Sequence, residues 1–138
     1  MFYFSIHQSP HYPGTGLLYE IGSGQGKGFT LNIPITAGHG DEEYISAFKQ
    51  KLVPAVQRFQ PDFILISAGF DAHQNDPLSG MLLTEQGFTS LTEIVADLAD
   101  EFCQGKIISF LEGGYHLEKL AESVSAHLNV LLKRSKND

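Results

Sequence analysis

The chain has 138 residues, 42% hydrophobic and 18% charged, with 14 Gly, 6 Pro, one Cys and a formal net charge of -7. That suits a single soluble domain burying roughly two-thirds of its unfolded surface, and it excludes a disordered or polyanionic chain. Only 9 Lys and Arg argue against a direct nucleic-acid binder, which needs a basic face; apolar runs of about six residues fall far short of the ~20 that span a bilayer; and lone Cys103, without an internal disulfide partner, points to a reducing, cytoplasmic setting.

Met1-Phe2-Tyr3-Phe4 is apolar but lacks the basic start of a signal peptide, so the chain is expected to open inside a strand, Phe2 to His7. Ser9-Pro10 and Pro13-Gly14-Thr15-Gly16 break it, and the Gly-rich stretch 22–28 leads into a second strand, Phe29 to Ile33. The Gly-rich stretch does not read as a phosphate loop, because Lys27 precedes Gly28 and a strand follows it. From Asp41 the period lengthens: Tyr44, Phe48, Leu52 and Val56 lie four apart on one helix face, with Pro54 predicting a kink or two abutting helices.

Phe63-Ile64-Leu65-Ile66 is a continuous apolar run of the kind buried on both faces of a parallel sheet. Thr84 is a predicted N-cap for a helix carrying Phe88, Leu91, Ile94 and Leu98, which Gly105 stops. Lys106 to Leu111 is the next strand. The last helix carries Leu117, Leu120, Val124, Leu128 and Leu131, puts His127 one position off that stripe as a surface or boundary residue, and ends in the polar tail Lys133 to Asp138. The order β-β-α-β-α-β-α implies an open parallel α/β sheet.

Ligands of such sheets bind beyond the carboxyl ends of the strands. Those ends read Ser5-Ile6-His7, Ser67-Ala68-Gly69-Phe70-Asp71-Ala72-His73 and Glu112-Gly113-Gly114-Tyr115-His116. On an extended segment Asp71 and His73 would face one side and could share a metal ion, but two ligands do not complete a zinc site; the other reading is an Asp closing a turn before Asn75-Asp76-Pro77. Tyr115, after two glycines, is placed either to donate to a developing oxyanion or to sit at the sheet edge with its hydroxyl in solvent.

Three motifs in this order resemble a known family: Ser-Ile-His at 5–7 with Tyr-Pro-Gly-Thr-Gly at 12–16, Ser-Ala-Gly-Phe-Asp-Ala-His at 67–73 with Asp76-Pro77-Leu78, and Glu-Gly-Gly-Tyr at 112–115. Together they look like the carboxyl-terminal part of the zinc-dependent histone deacetylase superfamily, in its bacterial acetoin-utilisation and acetylpolyamine amidohydrolase-like branch. The resemblance implies an arginase/deacetylase-like three-layer α/β/α fold with a mainly parallel sheet, present here as a partial domain over residues 1–138. It implies hydrolysis of an acetyl-amide of acetyl-lysine or an acetylated polyamine-like amine. Asp71 then matches one of three zinc ligands, Tyr115 the oxyanion-stabilising Tyr, and Ser5 a ligand of a structural potassium ion. Tyr12, Leu78, Gly113 and Gly114 match the walls and mouth of the substrate tunnel. His73 is not a zinc ligand in the family, which disfavours the Asp71–His73 chelate.

The family's other two zinc ligands, on an Asp-x-His segment, and its proton-transferring His pair would precede Met1, and no His-His occurs in the chain. The expectation is a piece that is inactive alone, with a buried-type strand left at an exposed edge, and therefore prone to pair with a missing amino-terminal half or with itself. The competing readings are a non-catalytic remnant acting as a binding or interaction domain, and a stand-alone hydrolase with a metal site rebuilt from Asp71, His73 and His7 or His116.

Overall fold

The computed structural model describes residues 1–135; 136–138 of the polar tail lie outside the described residues. Strand β1 (Tyr3–Gln8) and strand β2 (Thr30–Ile35) are followed by helix α1 (Asp41–Ala47), a π-helical turn (Phe48–Leu52) and helix α2 (Val53–Phe59). Strand β3 (Ile64–Ala68), helix α3 (Glu85–Cys103), strand β4 (Ile107–Leu111) and helix α4 (Leu117–Ser135) complete the order. The expected β-β-α-β-α-β-α sequence is therefore present. Pro54 falls in the first turn of α2, directly after the π-turn, and the backbone stays helical from α1 through that turn into α2, so the two short helices abut through it.

Thr84 caps α3 as expected, accepting the Gly87 N–H at 3.2 Å. Its own hydroxyl donates to Asp41 Oδ2 at 2.6 Å and its N–H to Asp41 Oδ1 at 2.8 Å, so the cap also ties the start of α3 to the start of α1. At the other end Gln104 takes the left-handed conformation (φ 56°) one residue before Gly105, which adopts φ 70° as well.

All pairing is parallel, but in two sheets rather than one. β1 pairs with β2 from Tyr3↔Thr30 to Gln8↔Ile35, and β3 with β4 from Ile64↔Ile107 to Ala68↔Leu111. Both sheets rest on the same core. One cluster joins Tyr44, Phe70, Met81, Leu83, Phe88 and Leu91 to Ile6 and Ile66, and a second joins Leu52, Val56 and Leu98 to Phe4 and Ile64. Phe70 meets Phe88 edge-on at 5.0 Å, and Phe4 meets Phe48 at 5.3 Å, geometries that add to the burial itself.

The four helices feed these two clusters, so the described residues build the sheet layer and one helical layer. The second helical layer has no counterpart among them. Leu65, Ile108 and Phe110 on the opposite face of β3–β4 are 60, 46 and 54% exposed, an unusual state for a parallel sheet, which is ordinarily covered on both faces.

His127 corrects the sequence reading: it is buried, not a surface or boundary residue. Thr92 Oγ1 donates to the Phe88 carbonyl at 2.7 Å and so accepts from His127 Nδ1–H at 2.8 Å; Nε2 then accepts the Ser109 hydroxyl at 2.9 Å. Those two bonds, and Phe70 against the ring at 5.9 Å, satisfy the imidazole in its neutral form. Burial pushes its pKa down.

Candidate functional site

The carboxyl ends of β3 and β4 converge. The Phe70 N–H donates to the Gly113 carbonyl at 2.8 Å, and the Glu112 N–H to the Ala68 carbonyl at 3.0 Å, which fixes the two following loops side by side. Asp71 stands on a turn closed by the His73 N–H on the Phe70 carbonyl at 3.2 Å. Its carboxylate fills the space left by two glycines: a Cβ on Gly113 would lie 2.9 Å from Oδ2, and one on Gly69 3.1 Å from Oδ1. Gly114 has its own constraint, a φ of +138° with Leu120 Cδ1 only 2.6 Å from any Cβ placed there. The glycines beside Asp71 and Tyr115 thus have a packing reason besides the tunnel-mouth role that the resemblance implies.

The Asp71 carboxyl is half-buried, and burial raises its pKa, helped by the charges of Asp76 and Glu112 and opposed by its own backbone N–H. A bound cation would offset that destabilisation of the charged form. Asp76 is itself buried. Its Oδ1 accepts the Leu78 N–H at 2.9 Å and its Oδ2 the Tyr115 N–H at 2.7 Å, so one carboxylate holds both the Asp71 loop and the Tyr115 loop. Tyr115 is 55% exposed, Leu78 58% and Tyr12 90%; the structure brings Tyr115 to the Asp71 loop and leaves Tyr12 and Leu78 open to solvent.

His73 does not join Asp71, because the segment is a turn and not the extended run on which both would face one way. The His73 ring is 2% exposed, its Nδ1 accepts the Asn75 N–H at 3.0 Å, and Nε2, which then carries the proton, lies 3.4 Å from Glu85 Oε1 without forming a hydrogen bond to it. Glu85 also meets Lys119 Nζ at 3.1 Å, and its pKa is held down to about 2, first by its own backbone N–H at the start of α3. His116 sits ahead of α4, with Nδ1 accepting the Lys119 N–H at 3.4 Å.

At the end of β1, His7 Nε2–H donates to the Gly16 carbonyl at 3.0 Å, so Nδ1 accepts the Ser5 hydroxyl at 2.8 Å and the Ser5 oxygen keeps its lone pairs for other partners. Buried Asn32, unremarked in the sequence, donates to the Leu17 and Glu20 carbonyls at 3.4 and 3.0 Å, and Glu20 accepts the Gly16 N–H at 2.7 Å. These bonds fix the loop after Tyr12.

A catalytic zinc site takes three protein ligands and keeps a fourth position open. Among the described residues no group of three or more His, Cys, Asp and Glu could hold a metal ion. Asp71 is one carboxylate, so these residues alone do not fit zinc, and the site rebuilt from Asp71, His73, His7 or His116 finds no support among them.

The histone deacetylase domain family matches residues 1–131. The chain is 46% identical over 132 residues to "Histone deacetylase 14, chloroplastic" of Arabidopsis thaliana, a match covering 96% of this chain and 31% of that protein. It is 42% identical over 116 residues to a "Probable deacetylase" of Archaeoglobus fulgidus, covering 84% and 32%. Among solved structures, the crystal structure of the HDA15 HD domain superposes with a TM-score of 0.89 at 41% identity, covering 96% of this chain and 37% of that one. The chain thus spans under a third of these two curated relatives.

Proposed function

The chain belongs to the histone deacetylase family, and from that premise we propose that residues 1–138 are the carboxyl-terminal part of a zinc-dependent deacetylase domain that removes acetyl groups from acetyl-lysine or small acetylated amines. The observation that carries this reading is the joint placement of Asp71 and Tyr115. A half-buried carboxylate with a raised pKa stands beside the loop that carries a solvent-facing Tyr, and Asp76 ties the two loops together.

In this reading Asp71 contributes one zinc ligand and Tyr115 a hydrogen bond to the oxyanion. Tyr12 and Leu78 line the channel with Gly113 and Gly114 at its mouth, and Ser5 contributes an oxygen to a structural potassium. Zinc would supply carbonyl polarisation and water activation when bound; its other ligands and the proton-transferring histidines come from polypeptide outside residues 1–138, so the chain is inactive alone. No described helix is long and apolar enough to cross a membrane, and the buried lone Cys103 supports a reducing compartment such as the cytoplasm.

A second reading, a non-catalytic remnant that binds a partner, draws on the described residues holding no group of three or more His, Cys, Asp or Glu able to bind a metal ion. Activity separates the two. The chain alone is expected to release no acetate from acetyl-lysine peptides or acetylated polyamines. Combined with the rest of a deacetylase domain, it is expected to do so at a chelator-sensitive rate that Tyr115→Phe lowers roughly 10²–10³-fold. A combined sample with no activity supports the remnant.

A further inference from the structure

We infer that Gln8 is a positioning residue that fixes the two walls of the acyl channel, the Tyr12 loop and the Leu78 segment, relative to each other. The inference rests on the deacetylase reading for the role of those walls, and on hydrogen bonds of this chain for their coupling. Gln8 is the last residue of β1. The ladder sets its place: it pairs with Ile35, whose carbonyl also accepts the Ser9 N–H at 2.7 Å. The chain then enters the loop that carries Tyr12, and that loop closes where the Gly16 carbonyl accepts from His7 Nε2 at 3.0 Å. Both ends of the Tyr12 loop are therefore held at the carboxyl end of β1.

The Leu78 segment is shaped by its own side chains. Asp76 Oδ1 accepts the Leu78 N–H at 2.9 Å, and Ser79 Oγ the Met81 N–H at 3.1 Å. Those bonds bend the segment without joining it to β1. The Gly80 N–H makes the join: it donates to Gln8 Oε1 at 2.8 Å, across 72 positions of sequence. Of the two carboxamide ends only the oxygen can accept an N–H, which fixes the orientation of the side chain. On its other side the Gly80 carbonyl accepts the Gly38 N–H at 2.8 Å, and a Cβ at Gly80 would lie 2.9 Å from Ala37 Cβ. Gly80 is gripped between the end of β1 and the loop after β2, with no room for a side chain.

Leu78 stands midway between Asp76 and Gly80. At 58% exposure it has little packing of its own, so its place is inherited from the fixed points on either side. Gln8 is the root of one wall and holds the other. Without its acceptor the Leu78 segment keeps its turn and its bond to Gly38, but no side chain carries its position to the Tyr12 loop. Channel walls touch the acyl chain in the ground state and the transition state alike, whereas Asp76 and the neighbouring glycines set Asp71 and Tyr115. Loosening the walls therefore weakens substrate binding and spares the chemical step.

The test compares Gln8→Met, which keeps the length of the side chain and loses the acceptor, with Gln8→Glu, which keeps an oxygen. In the full chain alone, Gln8→Met is expected to quicken amide exchange at Gly80 about three- to tenfold and to move the Leu78 and Tyr12 amide resonances together. Gln8→Glu is expected to restore the slow exchange. In complex with the rest of a deacetylase domain, Gln8→Met is expected to raise KM for an acetyl-lysine peptide about fivefold, with kcat within about twofold of the parent and zinc content unchanged. Gln8→Glu is expected to recover the parent KM. Unchanged Gly80 exchange, a Tyr12 resonance that stays while Leu78 moves, or a fall in kcat at constant KM would each overturn the inference. An active parent complex whose KM Gln8→Met leaves unmoved removes the role of Gln8 alone; a parent complex that releases no acetate removes the deacetylase reading and the channel with it.

Discussion

The Asp76 carboxylate accepts the backbone N–H of Tyr115 at 2.7 Å across 39 positions of sequence. With Leu78 on its other oxygen, it fixes the direction in which the Glu-Gly-Gly-Tyr loop leaves β4. Asp76→Ala strands two N–H groups around a buried position and is expected to cost about 1–3 kcal/mol. Asp76→Asn, which keeps an acceptor for only one of them, is expected to fall between the variant and the parent. Urea unfolding gives the energies, and the Tyr115 amide resonance should move most of all backbone signals; an unmoved Tyr115 amide would show that Asp76 does not set this loop.

Gly113→Ala places a methyl group 2.9 Å from Asp71 Oδ2. Because the neighbour is a carboxylate held by its own turn, relief comes by turning Asp71 away, at about 1–3 kcal/mol. Gly26→Ala, with open space around its Cβ, serves as the control and is expected to change stability little. Equal midpoints for the two variants in urea would contradict the tight seating of Asp71.

The pH dependence of stability follows from His127. Burial lowers its pKa in the folded chain, so below the ordinary histidine value of about 6.5 the unfolded chain binds the proton more readily. The contribution of His127 to stability is full above that value and is lost as pH falls from it through the lowered folded value. Urea midpoints between pH 7.5 and 5.5 are expected to fall for the parent and to fall less steeply for His127→Gln, which keeps polar atoms in the Thr92–Ser109 gap without titrating. Parallel pH profiles would contradict the neutral clamp.

Periodicity carried the elements well. The apolar run at Ile64–Ile66, the four-residue spacing from Tyr44 to Val56 and the Thr84 cap each depend on neighbours within a few positions, which a linear reading captures. What it missed depends on distant partners. His127 lies one place off the apolar stripe, and only Thr92 and Ser109, 35 and 18 positions away, make it a satisfied core group. Asp76 reads locally as a turn residue, and its hold on Tyr115 has no local signal. Asn32 stands inside a strand, where a polar residue buried among apolar neighbours was itself a clue. The division of the sheet was invisible for a different reason: strand pairing joins segments whose spacing in sequence is arbitrary.

The site was half legible. Motif order pointed to Asp71 and Tyr115, and the structure brings their loops together. Spacing alone misled at His73, because a turn between β3 and α3 sends its ring to Glu85.

The most direct measurement is zinc content of the purified complex between this chain and the complementary part of a deacetylase domain, comparing the parent with Asp71→Ala. About one zinc ion per complex is expected for the parent and almost none for Asp71→Ala, with none bound by the chain alone. Equal zinc in the two complexes, or stoichiometric zinc on the isolated chain, would contradict the assignment of Asp71 as one ligand of a site completed from outside.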